Sequence, residues 1–169
     1  MTETYAIHRR IRGEDSYYKL RWSPYYRLEK YLIRNKVPAE SAVYQIYYRE
    51  SYNLVLLETN LAFYGGVRET FAELIDSLSP RFYPHRDILL NGECYGRFAL
   101  SPHKEFLEDV KAYLNNEEVP DERTGEIFVE EIDTKGIIRP EEGQEAPEQG
   151  NGLVSFFVGN DVNRYNQGK

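Results

Sequence analysis

Cations and aromatic rings are interleaved through the first 36 residues, where nine Lys/Arg outnumber four Asp/Glu. Arg9, Arg10, Arg12 and Arg21 share this stretch with Tyr5, Tyr17, Tyr18, Trp22, Tyr25, Tyr26 and Tyr31. Bases stack on rings and phosphates pair with cations, so the mixture is what a nucleic-acid surface uses. The same composition also arises when rings fill a core and charges line a solvated face. Gly65-Gly66-Val67-Arg68 has the composition of a phosphate nest at a helix start, and equally that of a plain turn. His8, His85 and His103 are widely spaced and lack the helical or hairpin spacing of zinc ligands. The single cysteine, Cys94, falls in an apolar run and reads as a small buried hydrophobe rather than a nucleophile. Glu117, Glu118, Asp121 and Glu122 do not have the loop pattern of a calcium site.

The 169 residues include 15 Tyr and 8 Phe, enough apolar area for a core of ordinary size, which excludes disorder throughout. Apolar runs such as Leu54–Leu57 are far too short to span a bilayer, so no membrane partner is expected. Met1 to Arg12 holds three arginines and no apolar stretch, so no secretory signal is expected. One cysteine forms no internal disulfide, and the expected compartment is reducing and cytoplasmic. The net charge of −7 is unevenly spread: residues 116–169 hold 13 acidic and 5 basic residues, against 15 and 16 in residues 1–115.

The elements that must position these groups follow from periodicity. Residues 1–22 read as an irregular or partly extended arm. Ser23-Pro24 is a helix start signal, with Leu28, Tyr31 and Leu32 on one face and a stop by Lys36, before Val37-Pro38. Ala42–Tyr48 and Asn53–Thr59 read as strands joined by a hairpin. Val67, Phe71, Leu74, Ile75 and Leu78 form a helical stripe after Gly65-Gly66. Ile88–Leu90 reads as extended, Cys94–Leu100 as a strand, and Ser101-Pro102 as the start of a helix with Phe106, Leu107, Val110, Tyr113 and Leu114 inward. Further strands are expected at Glu126–Ile132 and Gly136–Ile138. The fold class is therefore α+β, a small and mainly antiparallel sheet flanked by helices with a C-terminal extension. The expected divisions are 1–22 as arm, 23–115 as domain, 116–139 as acidic extension, 140–152 as linker and 153–169 as docking strand and C-terminus.

Over residues 38–115 the element order and several residues resemble the GIY-YIG nuclease domain. Ala42-Val43-Tyr44 stands on a strand where that family has Gly-Ile-Tyr, Arg68 opens the next helix, and Glu105 and Glu108 lie on a later helix. The resemblance implies a three-stranded antiparallel sheet flanked by helices. It also implies Tyr44 as general base or water-positioning phenol, Arg68 steadying phosphate charge, and Glu108 or Glu105 holding Mg²⁺. The family's second motif falls here on Leu56-Leu57-Glu58, without its Tyr or Gly.

That departure makes a binding or scaffold module without catalysis, and without a cofactor, the expected function. A Mg²⁺-dependent DNA endonuclease using Tyr44, Arg68 and Glu108 is the alternative. A third reading is a nucleic-acid binder without chemistry, working through Arg9, Arg10, Arg12 and Arg21. Leu153, Val154, Phe156, Phe157 and Val158 form an abrupt apolar run beyond a polar linker, so this strand is expected to dock on another protein, a second copy, or its own sheet.

Overall fold

The computed structural model of the protein describes residues 4–118 and 124–140. Strands β1 (Ile7–Arg12), β2 (Asp15–Arg21) and β3 (Tyr25–Arg27) precede helix α1 (Lys30–Lys36), with a period-two burial alternation in β2. There follow β4 (Ala42–Glu50), β5 (Asn53–Ala62), α2 (Gly66–Leu74), α3 (Arg86–Asn91), β6 (Cys94–Leu100), α4 (Lys104–Asn115), β7 (Ile127–Ile132) and β8 (Ile137–Ile138). The class is α+β, with mostly antiparallel sheets flanked by helices. One sheet has the order β1-β2-β7 and the other β5-β4-β6-β3-β8. The β4–β5 hairpin carries a bulge at Ile46/Tyr47, and β6 pairs antiparallel along the other edge of β4.

The larger sheet is covered on both faces. On one side Tyr44, Ile46 and Phe98 pack with Ile33, Phe71, Leu74 and Leu89 from α1, α2 and α3. On the other, Val43 and Ala99 meet Leu107, Val110 and Leu114 of α4, and the same cluster takes in Ile7, Tyr18 and Leu20 of the smaller sheet. The hydroxyl of Tyr18 donates to buried Asp109 on α4 at 2.5 Å, fastening the smaller sheet to that helix. No helix among the described residues is long and apolar enough to cross a membrane.

Several expectations are corrected. Of the irregular or partly extended arm expected over residues 1–22, the extended part holds, but as a paired hairpin: β1 and β2 pair in register from Ile7↔Leu20 to Arg12↔Asp15. Ser23-Pro24 does not open a helix. Ser23 Oγ accepts the Phe98 amide at 3.0 Å, which draws Tyr25–Arg27 into the sheet beside β6 and β8. The helix starts later, where the Glu29 carboxylate caps the amides of Leu32 and Tyr31 at 2.8 and 3.1 Å.

Helix α2 ends at Leu74, since Asp76 Oδ1 accepts the Leu78 amide at 2.9 Å and turns the chain, leaving Leu78 exposed rather than inward. Arg86 then gathers the loop by donating to the carbonyls of Asp76, Ser77, Ser79 and Arg81, so that Ile88–Leu90 becomes helical, not extended. Tyr113 also points outward, partly exposed on α4. The acidic extension is not a separate unit beside a 23–115 domain: β7 pairs parallel with β2 and β8 parallel with β3. The apolar run at Leu153–Val158 and the linker before it lie outside the described residues.

Candidate functional site

The residues that the nuclease resemblance singles out do not meet. Tyr44 sits in the core under α2, its ring edge-on to Phe71 at 5.6 Å and its hydroxyl donating to Glu58 Oε2 at 3.0 Å. Burial, reinforced by Glu58, pushes this phenol well above its ordinary value, the wrong direction for a base near neutrality. Arg68 Nε donates to the Val37 carbonyl at 2.7 Å. Glu108 is on α4, across the sheet from Tyr44, 3.9 Å from Lys104. Glu105, the other carboxylate that the resemblance offers for Mg²⁺, pairs with Arg9 at 2.8 Å.

Gly65-Gly66 does not form a phosphate nest, because the amides of Val67 and Arg68 already donate to the carbonyls of Glu40 and Pro38 at 2.9 and 3.1 Å. Arg68 does share a hollow of about 730 Å³ with Lys30 and Arg34, but Glu69 and Asp76 line the same hollow and offset its charge. His8 lies on β1, whereas His85 and His103 precede α3 and α4. Among the described residues no three His, Cys, Asp or Glu side chains are grouped to hold a metal ion. Cys94 is buried, donates to the Ile88 carbonyl at 3.4 Å, and is pushed up to about 11, chiefly by burial. It is expected to react with a thiol reagent at pH 8 only as fast as the protein opens.

Burial also raises other phenols. Tyr26 is pushed up to about 12 by burial, and Tyr18, Tyr25, Tyr44 and Tyr47 are raised too. An unfolded phenol ionises near pH ~10, so above that pH the unfolded chain releases protons that the folded chain retains. Stability that is complete below pH ~10 is therefore lost as the pH rises towards 12, with Tyr26 alone contributing up to about 2–3 kcal/mol. Alkaline unfolding should thus be cooperative, with tyrosinate absorbance and loss of circular dichroism rising together. A tyrosinate titration complete before any loss of structure would contradict it.

The outward face of the smaller sheet is different in character. Strand alternation turns Tyr18 and Leu20 to the core and Tyr17 and Lys19 outward. Register then places Arg10 opposite Tyr17, His8 opposite Lys19, and Arg12 opposite Asp15. On the other side Phe128 lies opposite Tyr17 and Glu130 opposite Lys19. The rings of Tyr17 and Phe128 stack at 4.9 Å and 16°, and the Arg12 guanidinium lies 5.9 Å from the Tyr17 ring. Both rings nonetheless stay about 40% open to solvent, at 38% and 40% exposure. Together these residues line an open hollow of about 660 Å³.

Of the four arginines expected at a nucleic-acid surface, Arg10 and Arg12 are on this face and Arg21 shares its strand parity. Arg9 is not: it turns towards α4, pairing with Glu105 and lying 4.5 Å from the Phe106 ring. Sequence reasoning missed Phe128, Lys19 and His8 as members. Alternation over Asp15–Arg21 carried the signal for Lys19, but nothing local announces that β7 returns beside β2.

Residues 6–165 match a protein family whose description is "Uncharacterised protein", and the chain belongs to that family. Neither the curated proteins nor the solved structures contain a match to it.

Proposed function

We propose that the chain is a non-catalytic binding module whose working surface is the outward face of β1-β2-β7, and that its partner is a polyanion. The observation that supports this reading is the exposed Tyr17–Phe128 stack standing among Arg10, Arg12 and Lys19. Stacked aromatic area left in solvent is costly in a monomer and useful at an interface. Arg10 and Lys19 hold no ion pair among the described residues, so their charge is available to a ligand. The acids near this face are Asp15, Glu126 and Glu130, and one oxygen of Asp15 is already turned to the Glu126 amide at 2.9 Å. An endonuclease built on Tyr44, Arg68 and Glu108 is disfavoured because Glu108, on α4, lies across the sheet from Tyr44 and α2.

Two measurements test this reading. The full chain should be retained on immobilised heparin at low salt, and Arg10→Glu with Arg12→Glu and Lys19→Glu should abolish that retention while leaving the fold intact. Elution of both proteins in the void volume would remove the polyanion reading. Supercoiled plasmid with Mg²⁺ or Mn²⁺ should remain uncut. Nicking that disappears in both Tyr44→Phe and Glu108→Ala would restore the enzyme.

A further inference from the structure

The outward face has features that a polyanion alone does not require. Arg12, Tyr17 and Phe128 form a pile of cation, ring and ring, with spacings of 5.9 and 4.9 Å. Phe128 belongs to β7, which ends the sheet order on that side among the described residues, so the next layer of the pile lies beyond that edge. A flat, unpaired base is the shape that continues such a pile, because every base has a π-face. A duplex hides those faces inside its own stack and offers the rings nothing. Three strands about 4.8 Å apart also make a platform narrow enough for one nucleic-acid strand, the scale on which sheet-borne aromatics stack two or three bases.

Glu130 is the second feature. It stands opposite Lys19 and lines the same hollow as Arg10 and Arg12. Towards a phosphate chain this carboxylate is only repulsive. Towards ribose it is an acceptor for the 2′-hydroxyl, a donor that deoxyribose lacks. Arg10 and Lys19, on neighbouring strands beside the rings, are placed for the flanking phosphates.

Resting on the polyanion reading above, we infer that the partner is single-stranded RNA, with a base stacked on the open face of Phe128 so that it extends the Tyr17–Phe128 pile, phosphates on Arg10 and Lys19, and a ribose hydroxyl on Glu130. The chain makes no covalent change to it.

The test is fluorescence anisotropy of the full chain with a short labelled RNA of mixed sequence, the DNA of the same sequence, an abasic strand and an RNA duplex. The single-stranded RNA should bind tightest of the four. Tyr17→Ala and Phe128→Ala should each weaken it by roughly five- to a hundredfold, without changing heparin retention. Both rings are surface residues, so Trp22 fluorescence should report unchanged folding. Removing the Arg10 charge should reduce the salt slope by about 0.7, the value of one phosphate contact on a single strand. Glu130→Gln should narrow the gap between RNA and DNA.

Equal affinity for RNA and the abasic strand would overturn the stacking assignment, and equal affinity for RNA and DNA the ribose assignment. In either case, heparin retention lost on charge reversal would leave the polyanion reading standing. Failure on heparin as well would sink both.

Discussion

Replacing Arg97 with alanine is expected to lower the stability of the protein by about 3–5 kcal/mol, a large part of a typical domain's total. Arg97 is 3% exposed on β6, at the centre of a ring of partners that come from three other parts of the chain. Its Nε and Nη2 donate to Gln45 Oε1 at 3.0 and 2.9 Å, and Nη1 donates to Asp133 Oδ1 at 2.9 Å. The guanidinium also lies 4.4, 5.2 and 5.5 Å from the rings of Trp22, Tyr25 and Tyr47. Burial alone would lower its pKa, but the surrounding acid groups Tyr25, Tyr47, Asp133 and Glu131 outweigh that and hold it above the ordinary value.

Alanine would empty the aromatic cage and leave Asp133 without this cation. It would also leave Gln45 Oε1 with Tyr47, at 2.7 Å, in place of three side-chain N–H or O–H donors. Arg97→Lys should recover only part of the loss, since an ammonium keeps the charge but lacks the planar fork that reaches both acceptors. Urea unfolding followed by Trp22 fluorescence measures the difference directly, because Trp22 is the single tryptophan and faces the cation. A loss below about 1 kcal/mol for Arg97→Ala would mean that the cage relaxes onto the vacancy and is not a lock.

The second large effect is expected at Gly66, where alanine should cost about 3 kcal/mol or more, well beyond the 1–2 kcal/mol of left-handed strain alone. Gly66 has φ of 76°, and a Cβ there would stand 2.5 Å from the Glu40 nitrogen and 2.6 Å from the Ala39 carbonyl carbon. Both are backbone atoms of the segment leading into β4, so neither yields as a flexible side chain does. Any shift that makes room also breaks the bonds from the Val67 and Arg68 amides to Glu40 and Pro38, which replace a side-chain cap at the start of α2. Gly13 provides the control. Its φ of 61° imposes a similar backbone strain, but nothing lies within 4 Å of its Cβ position. Gly13→Ala should therefore cost only about 1–2 kcal/mol, and equal losses at the two positions in thermal unfolding would dismiss the close-approach argument.

The same two sites mark how far the sequence can be read. A glycine pair before an apolar helical stripe was legible as the start of α2, because composition and period are local. That its amides would go to Glu40 and Pro38, and not to a phosphate, depends on β4 being preceded by a segment that runs beside the helix end. Arg97 was legible as a strand residue, while its cage was not, since Trp22, the Gln45–Tyr47 pair and Asp133 are far apart in the chain. The basic and aromatic composition of the first 36 residues did announce the cations and ring that stand on the outward face of β1-β2-β7. It could not separate Arg9, which turns inward to Glu105, from Arg10 and Arg12, which turn out.

By itself the sequence determined the α+β class and the elements whose pattern is long enough to be self-evident: β4, β5, β6, α2 and α4. In α2 and α4 hydrophobic residues recur with the helical period, and β4, β5 and β6 are runs of β-forming, largely apolar residues of strand length, so composition and length select each element without help. Tertiary structure decided what was too short or too distant for that. Tyr25–Arg27 has three residues and no readable period, and it is a strand because β6 and β8 supply the hydrogen bonds its backbone requires. The start of α1 moved to Glu29 because Ser23 was drawn into bonding with Phe98. The Tyr17–Phe128 stack exists only because β7 returns to lie parallel beside β2, a pairing that becomes favourable once both strands have the same core of α4 to cover. Local pattern fixes which groups a segment can offer. Which of them meet is settled by the long-range pairing that satisfies the backbone and buries the apolar faces together.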